Sequence, residues 1–181
     1  MYSCVFSVPT GLTGGLADIL VTSQDGQISH GAAQVSGLNP TLFTIGGDST
    51  GAAAALNGLT FQPGIFATTT TEFPGPDNRT RLAIWATGIS SGVINTNPAN
   101  DIRLNDGRIL ENLAGSVLVE ARTSDGRLFS LPVEYAGAQG VLAGLDQVVV
   151  LLTPDLQGAG QMQLTLIVGG QRSNFATIVV R

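Results

Sequence analysis

Few residues in this chain are of the types and at the spacings that catalysis needs. Gly88-Ile89-Ser90-Ser91-Gly92 matches the Gly-x-Ser-x-Gly string of a nucleophile elbow, where a strand-to-helix turn lifts a serine toward a histidine and an acid. That chemistry needs a helix after the serine and a His further on. The single His, His30, precedes the string and no helical pattern follows, so the string reads as a Gly/Ser turn after a strand. Cys4 and His30 are the one thiol and the one imidazole, and nothing in their spacing makes them a nucleophilic pair. Cys4 reads as a small buried apolar residue, with an intermolecular disulfide as its alternative role, because an odd cysteine in a secreted protein can pair between chains.

Binding candidates are equally sparse. Asp101, Asn105, Asp106 and Glu111 form the densest acidic stretch, but calcium takes six to eight oxygens and their spacing is not that of a helix–loop–helix calcium loop. They read as a solvated loop around an Asn-Asp-Gly turn. Trp85 and Tyr135 would make a sugar platform if exposed. Trp85 lies in an apolar run and reads as core or half-buried. Asn78-Arg79-Thr80 is a formal glycosylation acceptor, and Thr68 to Thr71 with Pro74 and Pro76 reads as an extended, exposed loop. No catalytic, cofactor or metal residue is expected.

Composition excludes several further classes. All eight basic residues are Arg, so there is no Schiff-base lysine, phosphate-loop lysine or Lys–Asn cross-link. The net charge is −5, and the closest cations are pairs such as Arg79 and Arg81, which argues against nucleic acid as a partner. One Cys and one His rule out an intrachain disulfide framework and a Cys/His zinc site. No 18-residue apolar run suggests a membrane span, and Met1-Tyr2-Ser3-Cys4 does not open a signal peptide.

What remains is an arrangement of strands. In residues 161–168, Met162, Leu164, Leu166 and Val168 fall on one face, and Gln161, Gln163 and Thr165 on the other. Residues 147–152 are apolar on both faces and read as a strand covered on both sides. Residues 19–22, 81–86, 116–120, 127–135 and 175–180 read as further strands. Asp25-Gly26, Asn57-Gly58, Asp106-Gly107, Asp125-Gly126 and Gly169-Gly170 read as two-residue hairpin turns, which need positive φ. Ala52 to Leu56 is the one candidate helical turn. With 43% hydrophobic and 12% charged residues and 24 glycines, the chain reads as an all-β sandwich with a substantial core.

An internal repeat divides it. Shifted by 144 positions, Val5, Leu12, Gly14, Leu20, Gly26, Gln27, Ser29, Ala32 and Val35 fall on Val149, Leu156, Gly158, Leu164, Gly170, Gln171, Ser173, Ala176 and Val179, all identities. About a hundred residues of strand-like sequence precede the second copy, and almost nothing precedes the first. Residues 1–40 therefore read as the last three strands of a sandwich, and 41–181 as a complete one. Strands without sheet partners invite pairing with another chain. The residues that would carry such assembly are Val5, Phe6, Val8, Ile19, Leu20, Val21, Ile28 and Val35.

Several stretches together resemble an uncharacterised carboxy-terminal domain family of large secreted acidobacterial proteins, which carry paired immunoglobulin-like units. Residues 39–44 (Asn-Pro-Thr-Leu-Phe-Thr) are similar to its Ala-Pro-Gly-Leu-Phe-Thr segment. Residues 51–57 resemble Gly-x-Ala-Ala-x-Leu-Asn, and 84–88 its Leu-Tyr-Ala-Thr-Gly-Leu-Gly signature. Tyr135-Ala136-Gly137 with residues 144–148 resembles Tyr-Ala-Gly…Gly-Leu-x-Gln-Val, and 169–174 the closing Gly-Gly-x-x-Ser-Asn hairpin. The resemblance spans nearly the whole chain and departs in two places: the first unit lacks opening strands, and residues 95–112 form a longer, more polar loop. It implies an exported bacterial immunoglobulin-like sandwich without a known activity. The expected function is a non-enzymatic extracellular or cell-surface module, structural or adhesive, that assembles with itself or with neighbouring domains into a filament by strand complementation. The alternative is a carbohydrate- or surface-binding module with a glycan as partner.

Overall fold

The structure, a computed structural model, describes residues 6, 8–9, 11–71, 75–90 and 93–181. It divides into two units, Met1–Gly37 and Leu38–Arg181. The chain is all-β. In the first unit, strands β1 (Gly15–Thr22) and β2 (Ile28–Val35) form an antiparallel hairpin.

The second unit is a β-sandwich. Its strands are β3 (Thr41–Leu42), β4 (Ala55–Asn57), β5 (Ile65–Phe66), β6 (Arg81–Thr87), β7 (Ile102–Arg103), β8 (Ile109–Leu110), β9 (Val117–Thr123), β10 (Leu128–Leu131), β11 (Val133–Ala138), β12 (Asp146–Leu151), β13 (Gly160–Val168) and β14 (Gln171–Val180). One sheet runs β10-β9-β13-β14-β5, with β5 parallel to β14. The other runs β11-β12-β6-β3, and β4 also pairs with β6. β7 and β8 make a separate small hairpin within the 95–112 loop.

The period-two pattern places the core. Met162, Leu164, Leu166 and Val168 of β13 are buried against Leu82, Ile84 and Ala86 of β6 and Val148 and Val150 of β12, in one apolar cluster fed by both sheets. Residues 127–135 are not a single strand. Pro132, which cannot donate to a ladder, separates β10 from β11, and the chain changes sheets there. Ala52 to Leu56 is not a helical turn. Ala53 and Ala55 are buried in extended backbone, where Ala54 N donates to Phe43 O at 2.8 Å and Trp85 N to Ala54 O at 2.9 Å.

The Asp-Gly turns are longer than two residues. At Ser23–Gln27, Leu104–Arg108 and Thr123–Arg127 the first N–H bonds the last carbonyl, and the glycine N–H bonds the first carbonyl. This is a three-residue loop ending on a left-handed glycine (φ 84–89°). The Asp closes it from the side: Asp106 accepts from Arg108 Nε at 2.7 Å, and Asp125 from Arg127 Nε at 2.9 Å and from the Thr123 hydroxyl. Gly169-Gly170, both at positive φ, does form the expected two-residue turn. Asn57-Gly58 does not: Asn57 Oδ1 instead accepts from the Leu59 and Thr60 N–H groups at 2.9 and 3.1 Å and shapes a wider loop.

The repeat is real in structure but offset by one residue from its sequence register. Gly15, Ala17 and Ile19 pair with Val35, Ala33 and Gly31, as Gly160, Met162 and Leu164 pair with Val180, Ile178 and Ala176. Ile19, not Leu20, therefore stands where Leu164 stands. Replacing Leu164 by Ala should cost about 2–5 kcal/mol, as for a fully buried leucine. Leu20→Ala should change the stability of the isolated monomer by less than about 0.5 kcal/mol. Urea denaturation of both variants checks the offset, and equal losses would overturn it.

Candidate functional site

The hairpin presents two unlike faces. Because side chains alternate, Ala17, Ile19, Val21, Gly31, Ala33 and Val35 share one face with Ser29 as its only polar side chain. The other face carries Leu16, Leu20, Ile28 and Ala32 among Asp18, Thr22, His30 and Gln34. His30 Nε2 lies 3.6 Å from Asp18 Oδ1 across the two strands. At the positions equivalent to the fully buried Met162, Leu164 and Leu166, Ala17 and Ile19 are half-buried and Val21 is exposed, and on the opposite face Leu16, Leu20 and Ile28 are 77%, 63% and 65% exposed.

The difference lies in the neighbours. β13 sits between β9 and β14, so both of its edges are paired. β1 pairs only with β2 among the described residues. Ser23 and Gln27 form a hydrogen-bonded pair, and in an antiparallel ladder such pairs alternate, so Ile19 and Val21 also bond toward β2. The backbone groups of Asp18 and Leu20 then point to the open edge.

The expected assembly residues thus fall into three groups. Ile19, Leu20, Val21, Ile28 and Val35 lie in the hairpin. Phe6 and Val8 are exposed and outside any strand. Val5 and Cys4 lie outside the described residues, and so does the disulfide expected of Cys4.

The chemical candidates of the sequence are engaged in structure. Ser90 donates to Asp146 Oδ1 at 2.8 Å, and the Ile89 N–H bonds Asp146 Oδ2 at 2.8 Å, which fastens the turn after β6 to the start of β12. Gly88 is required there, since a Cβ would lie 2.3 Å from Asn39 O at φ 76°. Ser91 and Gly92 lie outside the described residues. Asp101 accepts from Asn95 Nδ2 at 2.8 Å and the Asn112 N–H at 3.0 Å, and Asp106 holds Arg108. No three His, Cys, Asp or Glu side chains converge among the described residues.

The aromatic pair does not form a platform. Tyr135 is buried and donates its hydroxyl to Ala138 O at 2.6 Å. Trp85 is half-buried beside an apolar groove of about 240 Å³ lined by Ile45, Ala54, Ala55, Leu56 and Pro63. A larger open cleft of about 380 Å³ is lined by Thr60, Gln62, Thr69 and Arg181. The Thr-rich loop is only half exposed: Thr68 and Thr70 are buried, and Thr70 bonds Asn57 Nδ2 at 2.9 Å and Thr80 at 2.7 Å. Pro74 lies outside the described residues.

Sequence reasoning missed the second open edge. β10 ends its sheet, and nothing pairs with its outer side among the described residues. Its alternation places Leu128 and Ser130 on the exposed face and Phe129 and Leu131 toward the core. Pro132 was the signal, because it makes β10 a short strand of its own rather than half of a longer one.

No protein-family model, curated protein or solved structure matches the chain.

Burial pushes the Tyr135 hydroxyl up to about 12, helped by the Asp146 and Asp101 carboxylates. A folded value above the unfolded one of about 10 means stability present below pH 10 and lost as pH rises toward 12. In a Tyr2→Phe variant, which leaves Tyr135 as the one tyrosine, absorbance titration at 295 nm should show ionisation near pH 12, with unfolding following it. A single transition near 10 in the folded protein would contradict the burial of Tyr135.

Proposed function

We propose that the chain is a non-enzymatic structural or adhesive module that assembles by completing its first hairpin with strands from another molecule. One observation carries this reading. Away from its turn, the hairpin of residues 15–35 repeats the pairing register of β13–β14, yet positions fully buried in β13 are half-buried or exposed in β1, and among the described residues β1 has no neighbour on its outer side. An edge of that kind recruits strands.

The wider setting is proposed with it. The strand orders β3-β6-β12-β11 and β5-β14-β13-β9-β10 read as A-B-E-D and, with flanking strands, G-F-C of an immunoglobulin sandwich. That order supports an immunoglobulin-like identity, as does the resemblance to the acidobacterial secreted domains. An extracellular or cell-surface site follows from the same resemblance. No helix among the described residues is long and apolar enough to cross a membrane.

Binding of a glycan or a surface is the second reading, favoured by the half-buried Trp85 and its groove. The groove is lined by apolar side chains, so it suits an apolar side chain better than a hydroxyl-rich sugar.

Negative-stain electron microscopy and light scattering on the purified chain test the first reading. Filaments or regular oligomers are expected, and a monomer near 18.6 kDa at every concentration would sink it. The second reading is tested by Trp85, the only tryptophan. Its fluorescence should remain unchanged as soluble glycans are titrated in, and a saturable shift lost in Trp85→Ala would favour sugar binding instead.

A further inference from the structure

We infer that the partner edge for β1 is β10 of a second copy of this chain, joined antiparallel with Leu20 opposite Leu128 and Asp18 opposite Ser130. This rests on the assembly reading and names its occupant.

The other long edges of the sandwich are closed. The outer side of β11 is already bonded: Leu113 N donates to Ala136 O at 2.7 Å, Asn112 Nδ2 to Glu134 O at 2.9 Å, and Asn112 Oδ1 accepts from Ala136 N at 3.3 Å. On the opposite side, Ala53 N donates to Thr177 O and Thr177 N to Gly51 O, both at 2.8 Å, so the 51–57 segment ties the two sheets together. That leaves β10.

Backbone direction then selects the residues. Thr123 N donates to Arg127 O, so the alternating ladder bonds Phe129 and Leu131 to β9. The N–H and C=O groups of Leu128 and Ser130 therefore point outward. On β1 the outward groups belong to Asp18 and Leu20. Opposed antiparallel, Leu20 with Leu128 and Asp18 with Ser130 form two hydrogen-bonded pairs.

Side chains agree with this register. Residues directly opposite share a face, so Leu20 and Leu128, 63% and 51% exposed, would cover each other. Asp18 would meet a hydroxyl donor rather than a second carboxylate. Ile19 would adjoin Phe129, and Ala17 would adjoin Leu131, on the core side. The parity is not automatic. Had β10 turned Phe129 to its exposed side, the same pairing would set the apolar face of the hairpin in water.

The contact joins unlike surfaces, so repetition gives an open chain rather than a closed dimer. It is also short, since Pro132 ends β10, and assembly should depend on concentration.

Cysteine trapping reads the register directly. Two variants, Leu20→Cys and Leu128→Cys, each in a Cys4→Ser background, are purified, mixed and oxidised. Hydrogen-bonded pairs have Cα atoms about 5.5 Å apart, within disulfide range. A disulfide-linked dimer is expected in the mixture and in neither variant alone, and Leu16→Cys mixed with Leu128→Cys should stay unlinked. Ser130→Pro removes an outward N–H, so it should abolish oligomers while leaving the melting temperature within a few degrees. Oligomers without the cross-link, or homodimers of Leu20→Cys alone, would overturn this contact and leave the assembly reading standing. A monomer in all samples would overturn both.

Discussion

Hydrogen bonding along strand edges is the constraint on which the rest of this structure depends. A strand offers backbone donors and acceptors on both sides, and a buried one left unpaired costs about 1–3 kcal/mol. The second unit meets this with side chains where it lacks strands. Asn112 stands in for a strand beside β11. Asn174 does so between the sheets: its Oδ1 accepts from Leu42 N at 2.8 Å, and its Nδ2 donates to Leu42 O at 3.0 Å. Among the described residues, closure by asparagine amides and by the 51–57 segment leaves β10 as the longest open edge of the second unit, and that edge gains meaning from the open side of β1.

Charge serves the same end on a small scale. The chain has few ionic groups, and many are spent locally. Asp77 grips Arg79 through two bonds of 2.7 and 2.8 Å, and this pairing holds its carboxyl well below the usual carboxylate range. Arg81 reaches from Asp77 to Glu134 at 3.0 Å each and so ties β6 to the strand beyond its neighbour. Such exposed pairs contribute little to stability individually. Their effect is geometric: Asp106 with Arg108 and Asp125 with Arg127 repeat one clasp at two hairpin tips.

Much of the core was legible in sequence, because burial on one sheet face imposes period two. The alternation from Met162 to Val168 is the clearest case. The half-burial of Trp85 was legible too. Turn length was not, because Asp-Gly suits both two- and three-residue loops, and what separates them is which residue the glycine N–H reaches. The repeat was legible as a repeat, but its identities misled by one position. Gly26 and Gly170 align because both are turn glycines, yet the first loop is one residue longer than the second and the β13–β14 ladder carries a bulge between Thr165 and Ile167, so the flanking strands slip. A one-residue slip exchanges faces. The polarity of the faces carried the right register all along: Asp18 and His30 cannot share the environment of Met162 and Asn174's buried neighbours. The closed edges were invisible, since Asn112 and Asn174 act across contacts that no local pattern specifies.

Side-chain size separates the two hairpins in a way that bears on what the first is for. The core face of the second carries Met162, Leu164, Leu166, Ala176, Ile178 and Val180. The equivalent positions of the first carry Ala17, Ile19, Val21, Gly31, Ala33 and Val35. Stabilisation scales with apolar area removed from water, at roughly 25 cal/mol per Å². The first face therefore gains less from being covered, and it costs less to leave open. A face of large residues would collapse onto whatever apolar surface it met. A small one depends on backbone pairing for most of its contact energy, and backbone pairing demands register. On the proposed assembly, small apolar residues beside the outer side of β1 would thus favour a reversible, geometrically selective joint over a permanent core.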